Sequence, residues 1–222
     1  MAKFKYSMDI SDMPFHIDNL TLAIRRQGER AIWTDSESQT QIIFEGKGLK
    51  ASGEIEEGLR AGSIKSIRVV DDDGHTLVSV TGLHAKASKL MAQWEEGNFE
   101  GAMFYLARGK DHVIGSKGDD SYLLSGAGDD VMTGRGGADI FAFQATPGPK
   151  KGGEPSPQYD IITDFVAVGE DHDFLLIYDE YTFKGVHKGR DTLVTLEDGS
   201  HVLLEHVTKA EFQVYYDGLS EL

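Results

Sequence analysis

Four aspartates, Asp111, Asp120, Asp130 and Asp139, follow one another at intervals of nine, ten and nine residues. Each has a glycine two positions before it (Gly109, Gly118, Gly128, Gly137) and an apolar residue two positions after it (Val113, Tyr122, Met132, Phe141). A nonapeptide carrying glycine, acid and apolar residues at fixed offsets is far more specific than any single short motif. The frames read LARGKDHVI, GSKGDDSYL, SGAGDDVMT and GRGGADIFA, and one extra residue near Leu123 or Leu124 lengthens the middle interval. Six glycine-rich residues can form a tight turn with converging carbonyls, because glycine enters backbone conformations closed to other residues. The next three form a short strand whose central apolar side chain faces inward. Two units complete one coil, so turns two units apart stack and present carbonyl and carboxylate oxygens to each other. Oxygen-only ligands, six to eight in a flexible cage, suit Ca²⁺ better than Zn²⁺ or Mg²⁺. Without the ion the acids repel one another, and the coil is not expected to form.

Composition agrees with that chemistry. The 222 residues include 37 acids against 22 bases, a formal charge of −15, which disfavours nucleic acid and anionic membranes as partners and favours cations. Cysteine is absent, which excludes disulfides, thiolate metal sites and cysteine nucleophiles. Glycine, 26 residues in all, stands at roughly 12% against a usual share of about 7%. Divided after Tyr105, the first part holds 16 acids and 12 bases and the second 21 acids and 10 bases, so −11 of the charge falls in the second. Twelve acids lie between Asp111 and Asp173, and eight glycines between Gly109 and Gly137. No apolar run is long enough to span a membrane, and Met1 to Ile10 lacks the apolar stretch of a secretory signal.

The elements expected around the repeat are mainly β. Residues 1–105 read as a β-rich domain with one helix. Apolar and polar residues alternate over Leu20 to Arg25, Gln41 to Glu45, Ser63 to Val70 and Thr76 to Thr81, with a hairpin turn at Asp73-Gly74. The period changes over 84–96, where Ala87, Leu90, Met91 and the expected core residue Trp94 share a helical face and Gly97 takes the C-cap position. Asp71-Asp72-Asp73 reads as a solvated turn. This half has no HExxH, no GxSxG and no phosphate-binding glycine loop, so no enzyme activity is expected from it. Residues 106–222 form the second region, with repeats over 106–143 and a proline-rich loop over 146–158. Strands follow at Leu175 to Tyr178, Thr192 to Leu196 and His201 to His206, with a turn at Asp198-Gly199. The eight histidines are scattered and read as structural or surface residues.

The repeats resemble the GGxGxDxUx nonapeptide of hemolysin-type calcium-binding (RTX) proteins, which wind a parallel β-roll around Ca²⁺. The resemblance covers Leu106 to Phe143, with the third unit closest and the first an opening cap bearing Lys110 where an acid or amide often stands. DIITDFVAVGEDHDFLLI, Asp160 to Ile177, is similar to the segment that follows the repeats in such proteins, with Val168 inserted before Gly169. The resemblance implies that one ion is shared by Ala107, Gly109 and Asp111 facing Ser125, Ala127 and Asp129 or Asp130. A second falls to Ser116, Gly118 and Asp120 facing Gly134, Gly136 and Asp139. Asp119, Gly126 and Gly128 complete the set, and the outward sides of Asp130 and Gly126 look to Asp160, Asp164 or Asp171. Two or three Ca²⁺ are implied in all.

The same resemblance implies type I secretion from a Gram-negative bacterium through an uncleaved C-terminal signal, in keeping with the mixed apolar and acidic stretch Glu211 to Leu222. The function then expected is that of a secreted extracellular protein, folding on Ca²⁺ after export and serving a structural or interaction role at a cell surface or in a matrix. The alternative is a module related to secreted RTX proteases or polysaccharide-modifying enzymes, with carbohydrate as partner.

Overall fold

The computed structural model describes residues 1–7, 20–26, 28–51, 59–95, 99–143, 148–149, 155–177, 183–196 and 198–213. The chain is mainly β and divides into two compact units, Met1–Leu106 and Ala107–Leu222. None of the described helices is long and apolar enough to cross a membrane.

The first unit contains β1 (Lys3–Tyr6), β2 (Leu20–Arg26), β3 (Gly28–Asp35), β4 (Gln41–Ala51), β5 (Leu59–Val70), β6 (Thr76–Lys86), α1 (Ala87–Glu95) and α2 (Phe99–Leu106). Its strands pair antiparallel in the order β1-β6-β5-β4-β3-β2. Period-two alternation lines up buried residues across five strands, with Phe4 opposite Val80, Val80 opposite Ile67, Ile67 opposite Phe44 and Phe44 opposite Ala31. Trp33 and Phe44 meet edge to face at 5.4 Å in this core. The hairpin between β5 and β6 turns at Gly74, φ +86°, and Asp71 closes it by accepting the His75 N–H at 2.7 Å. Asp72 and Asp73 are exposed in this turn, and Asp71 is half-buried.

Two corrections concern the helices. Residues 84–86 belong to β6, where Ala85 and Lys86 pair with Ile64 and Ser63, so α1 starts at Ala87. A second helix, α2, follows it. Its composition, FEGAMFYL, is apolar almost all round and carries no amphipathic contrast to betray the period, yet Ala102, Met103 and Leu106 are buried at helical spacing. Gly97 and the Trp94 side chain lie outside the described residues.

The second unit contains β7 (His112–Ile114), β8 (Leu123–Leu124), β9 (Val131–Thr133), β10 (Ile140–Phe143), β11 (Gly148–Pro149), β12 (Pro155–Ser156), β13 (Tyr159–Ile162), β14 (Phe174–Ile177), β15 (Phe183–Lys188), β16 (Asp191–Leu196) and β17 (His201–Leu204). Alternate repeat strands pair parallel in two stacks, β7-β9-β13-β17 and β8-β10-β14. The inward residues form ladders. Val113, Met132, Ile162 and Leu204 align in one stack, and Leu123, Phe141 and Leu175 in the other.

Tyr122 is not the inward residue of its unit. It is half-buried while Leu123 holds the buried position opposite Phe141, so the extra residue of the middle interval sits between Asp120 and Leu123. The proline-rich loop includes the short β11-β12 pair. β15, β16 and β17 form an antiparallel meander joined to β13 through β17. A capping box, Thr208 with Glu211, opens the helical turn at 209–213.

Candidate metal centre

The two strand stacks carry two columns of buried aspartate. In the first, Asp130 Oδ1 accepts the Asp111 N–H at 2.7 Å and Asp160 Oδ1 accepts the Asp130 N–H at 2.9 Å. In the second, Asp139 Oδ1 accepts the Asp120 N–H at 3.0 Å and Asp173 Oδ1 accepts the Asp139 N–H at 2.9 Å. These four carboxylates thus cap amides at the strand starts of the preceding coil, and none of the six aspartates is more than 4% exposed. The backbone donors satisfy part of each carboxylate's hydrogen-bonding capacity. Among the described residues, however, no basic side chain forms an ion pair with Asp130, Asp139, Asp160 or Asp173.

Electrostatics show the cost. Burial, reinforced by the Asp160 charge, pushes the Asp130 carboxyl up to about 9. Burial likewise raises Asp139 to about 7, against the opposing hydrogen bond from the Asp120 amide, and raises Asp160 to about 7 and Asp173 to about 6. Asp130 Oδ2 is buried and has no hydrogen-bond partner among the described residues. An orphaned carboxylate oxygen among like charges calls for a proton or a cation.

Glycine lets the turns approach. Gly126, φ +76°, lies so close to the Ala107 carbonyl that a Cβ would stand 1.9 Å from its oxygen. In the other column a Cβ on Gly137, φ +97°, would stand 2.5 Å from the Asp119 nitrogen. Around them Ala127 N–H donates to the Ala107 carbonyl at 3.0 Å and Gly109 N–H to the Ala127 carbonyl at 2.6 Å. Gly128 packs on Gly109, and its N–H donates to the Gln158 side chain. Asp119 Oδ1 accepts the Ala138 N–H at 2.9 Å, and Gly136 faces the Lys117 carbonyl, 3.6 Å from where a Cβ would stand.

Several of the expected ligand residues also make hydrogen bonds within the protein. Ser116 N–H donates to Asp120 Oδ2 at 2.6 Å within its own turn, and its hydroxyl donates to the Gly118 carbonyl at 3.0 Å. Ser125 N–H donates to the Ala142 carbonyl at 3.1 Å. Asp129 Oδ2 pairs with Lys110 Nζ at 2.6 Å while Oδ1 accepts the Tyr159 N–H at 3.1 Å. That pairing holds the Asp129 carboxyl below its usual range and raises the Lys110 ammonium. Asp164 accepts the N–H groups of Gly134 at 2.9 Å and Arg135 at 2.8 Å. Asp171 is exposed in the turn before β14, and the acid that enters the column is Asp173.

Asp173 and Gln158 are the site residues that the repeat pattern misses. Asp173 precedes β14 as Asp139 precedes β10, with apolar Leu175 two positions on, but Asp171 stands where the repeat has glycine. Gln158 occupies the glycine place before Asp160 in the same way. Acid followed by an apolar residue two places later would have found both columns to their ends.

The donor set is all oxygen. Among the described residues no three His, Cys, Asp or Glu side chains stand close enough together to hold a metal ion by themselves. Oxygen donors of this kind suit hard cations rather than nitrogen- and sulfur-seeking metals. In comparisons with family models, curated proteins and solved structures nothing matches this chain, so its function is read from these residues alone.

Proposed function

We propose that the parallel strand stacks of the second unit form a calcium-dependent β-roll of the RTX kind, in a secreted protein with a structural or interaction role outside the cell. The observation that carries this reading is Asp130, whose buried Oδ2, without a described hydrogen-bond partner, lies among the like charges of Asp111, Asp129 and Asp160. Bound Ca²⁺ supplies the positive charge such a column lacks and takes up carbonyl oxygens of the stacked turns. The chain's own residues do the rest. Asp130 and Asp160 in one column, and Asp139 and Asp173 in the other, hold successive coils by capping their amides. The glycines allow the turns to meet.

Folding is then coupled to export. At submicromolar cytosolic calcium the acidic repeats are only marginally stable, and their unfolded form suits passage through a type I secretion channel. Outside, millimolar calcium drives folding by mass action, for which affinities on the order of 10⁻⁴ to 10⁻³ M suffice. Circular dichroism through a Ca²⁺ titration, followed by chelator, tests the reading. The β signal and thermal midpoint should rise with millimolar Ca²⁺ and fall again with chelator; no response in either would sink it.

A further inference from the structure

We propose that Lys110 stands in for a bound cation at the first pair of stacked turns and sets how strongly that pair takes calcium. The inference rests on the calcium reading above. Lys110 occupies the position before the ladder aspartate where the next two units have Asp119 and Asp129. Its ammonium reaches across to Asp129 Oδ2 at 2.6 Å, in the turn two units on, and the other oxygen of Asp129 is held by the Tyr159 N–H. Asp129 therefore has both oxygens engaged within the protein.

The equivalent acid of the other column differs. Asp119 caps the Ala138 amide, and among the described residues no basic side chain forms an ion pair with it. Exposed pairs of this kind, here 72% and 44% exposed, add little stability by themselves. A fixed positive charge beside a cation site has a larger effect, because it must repel whatever cation arrives.

Two consequences of opposite sign follow for Lys110→Gln in the full chain. Without calcium, the first turn pair loses its internal counter-charge and the thermal midpoint in chelator should drop by a few degrees. With calcium, the ion no longer meets a competing charge, and the Ca²⁺ concentration for half-maximal circular dichroism response should fall roughly 5- to 10-fold, the effect of one unit charge near the surface. Lys110→Arg, which keeps the charge, should match wild type in both readouts. A lysine with only a packing role would lower the chelator midpoint and raise the calcium requirement, because folding and binding are coupled. An unchanged or raised half-maximal concentration in Lys110→Gln therefore overturns the proposal while wild type still responds. A wild type indifferent to calcium would instead bring down the calcium reading itself, and this inference with it.

Discussion

Asp130 is held by the fold in a form it would not choose in water. Its Oδ1 caps the Asp111 amide while its buried Oδ2 has no described partner, and the Asp160 charge lies close by. Asn keeps the cap and removes the charge, so Asp130→Asn separates the two tasks. In chelator the variant should be more stable than wild type at pH 8, since a carboxyl held at about 9 must take up a proton on folding and an amide need not. In millimolar Ca²⁺ the order should invert, and calorimetry should show weaker or fewer ions bound. Equal calcium binding by the two proteins would exclude Asp130 as a ligand. The raised carboxyls also fix the sign of the pH response. Their folded values, about 6 for Asp173, about 7 for Asp139 and Asp160 and about 9 for Asp130, lie above the ordinary 3.8. Between those limits the folded state binds more protons than the unfolded one, so calcium-free stability should fall as pH rises from about 4 to about 9. Added Ca²⁺ should flatten or reverse that slope, because ion and proton compete for the same oxygens. Thermal midpoints across that range, with chelator and with calcium, check both statements.

At the scale of elements, the glycines of the repeats differ in what lies opposite them. Gly126, at φ +76° and in contact with the Ala107 carbonyl, has no room for a methyl, whereas a Cβ added at Gly118 would meet nothing within 4 Å. Gly126→Ala should cost roughly 2–4 kcal/mol, from left-handed strain and forced separation of the coils, while Gly118→Ala should cost less than about 1 kcal/mol. Chemical denaturation of the two variants in calcium would read the contrast, and equal losses would count against tight stacking at Gly126. The difference is not legible in sequence because it depends on which turn lies opposite. The alternation of β4, β5 and β6 and the nine-residue period are legible, since both follow from local periodicity. The one-residue offset before Leu123, the uniformly apolar α2 and the short strand β1 are not, because tertiary pairing settles them. Asp173 escapes the repeat pattern for a related reason, as the acid survives in the final coil where its glycine does not.

For the whole molecule, the charge and the candidate ion sites are concentrated in one of two compact units. Met1–Leu106 holds 16 acids and 12 bases, and its described core is an antiparallel sheet of alternating apolar residues. Ala107–Leu222 holds 21 acids and 10 bases and contains both aspartate columns. Two bound Ca²⁺ would bring the formal −15 to about −11 and three to about −9. The first column ends where β17 places Val202 opposite Asp160, so the ladder of acids stops at an apolar strand and the meander closes it. A ligand that binds only the folded form stabilises that form by RT ln(1 + [L]/Kd), about 2.7 kcal/mol at a hundredfold excess over Kd, and acts only on the cooperative unit that binds it. Calorimetric scans should therefore resolve two transitions in chelator, the lower belonging to the acidic unit, and raising Ca²⁺ should move that transition upward while the other stays in place. If instead both transitions shift together, or the first unit alone responds, calcium is not held by the aspartate columns.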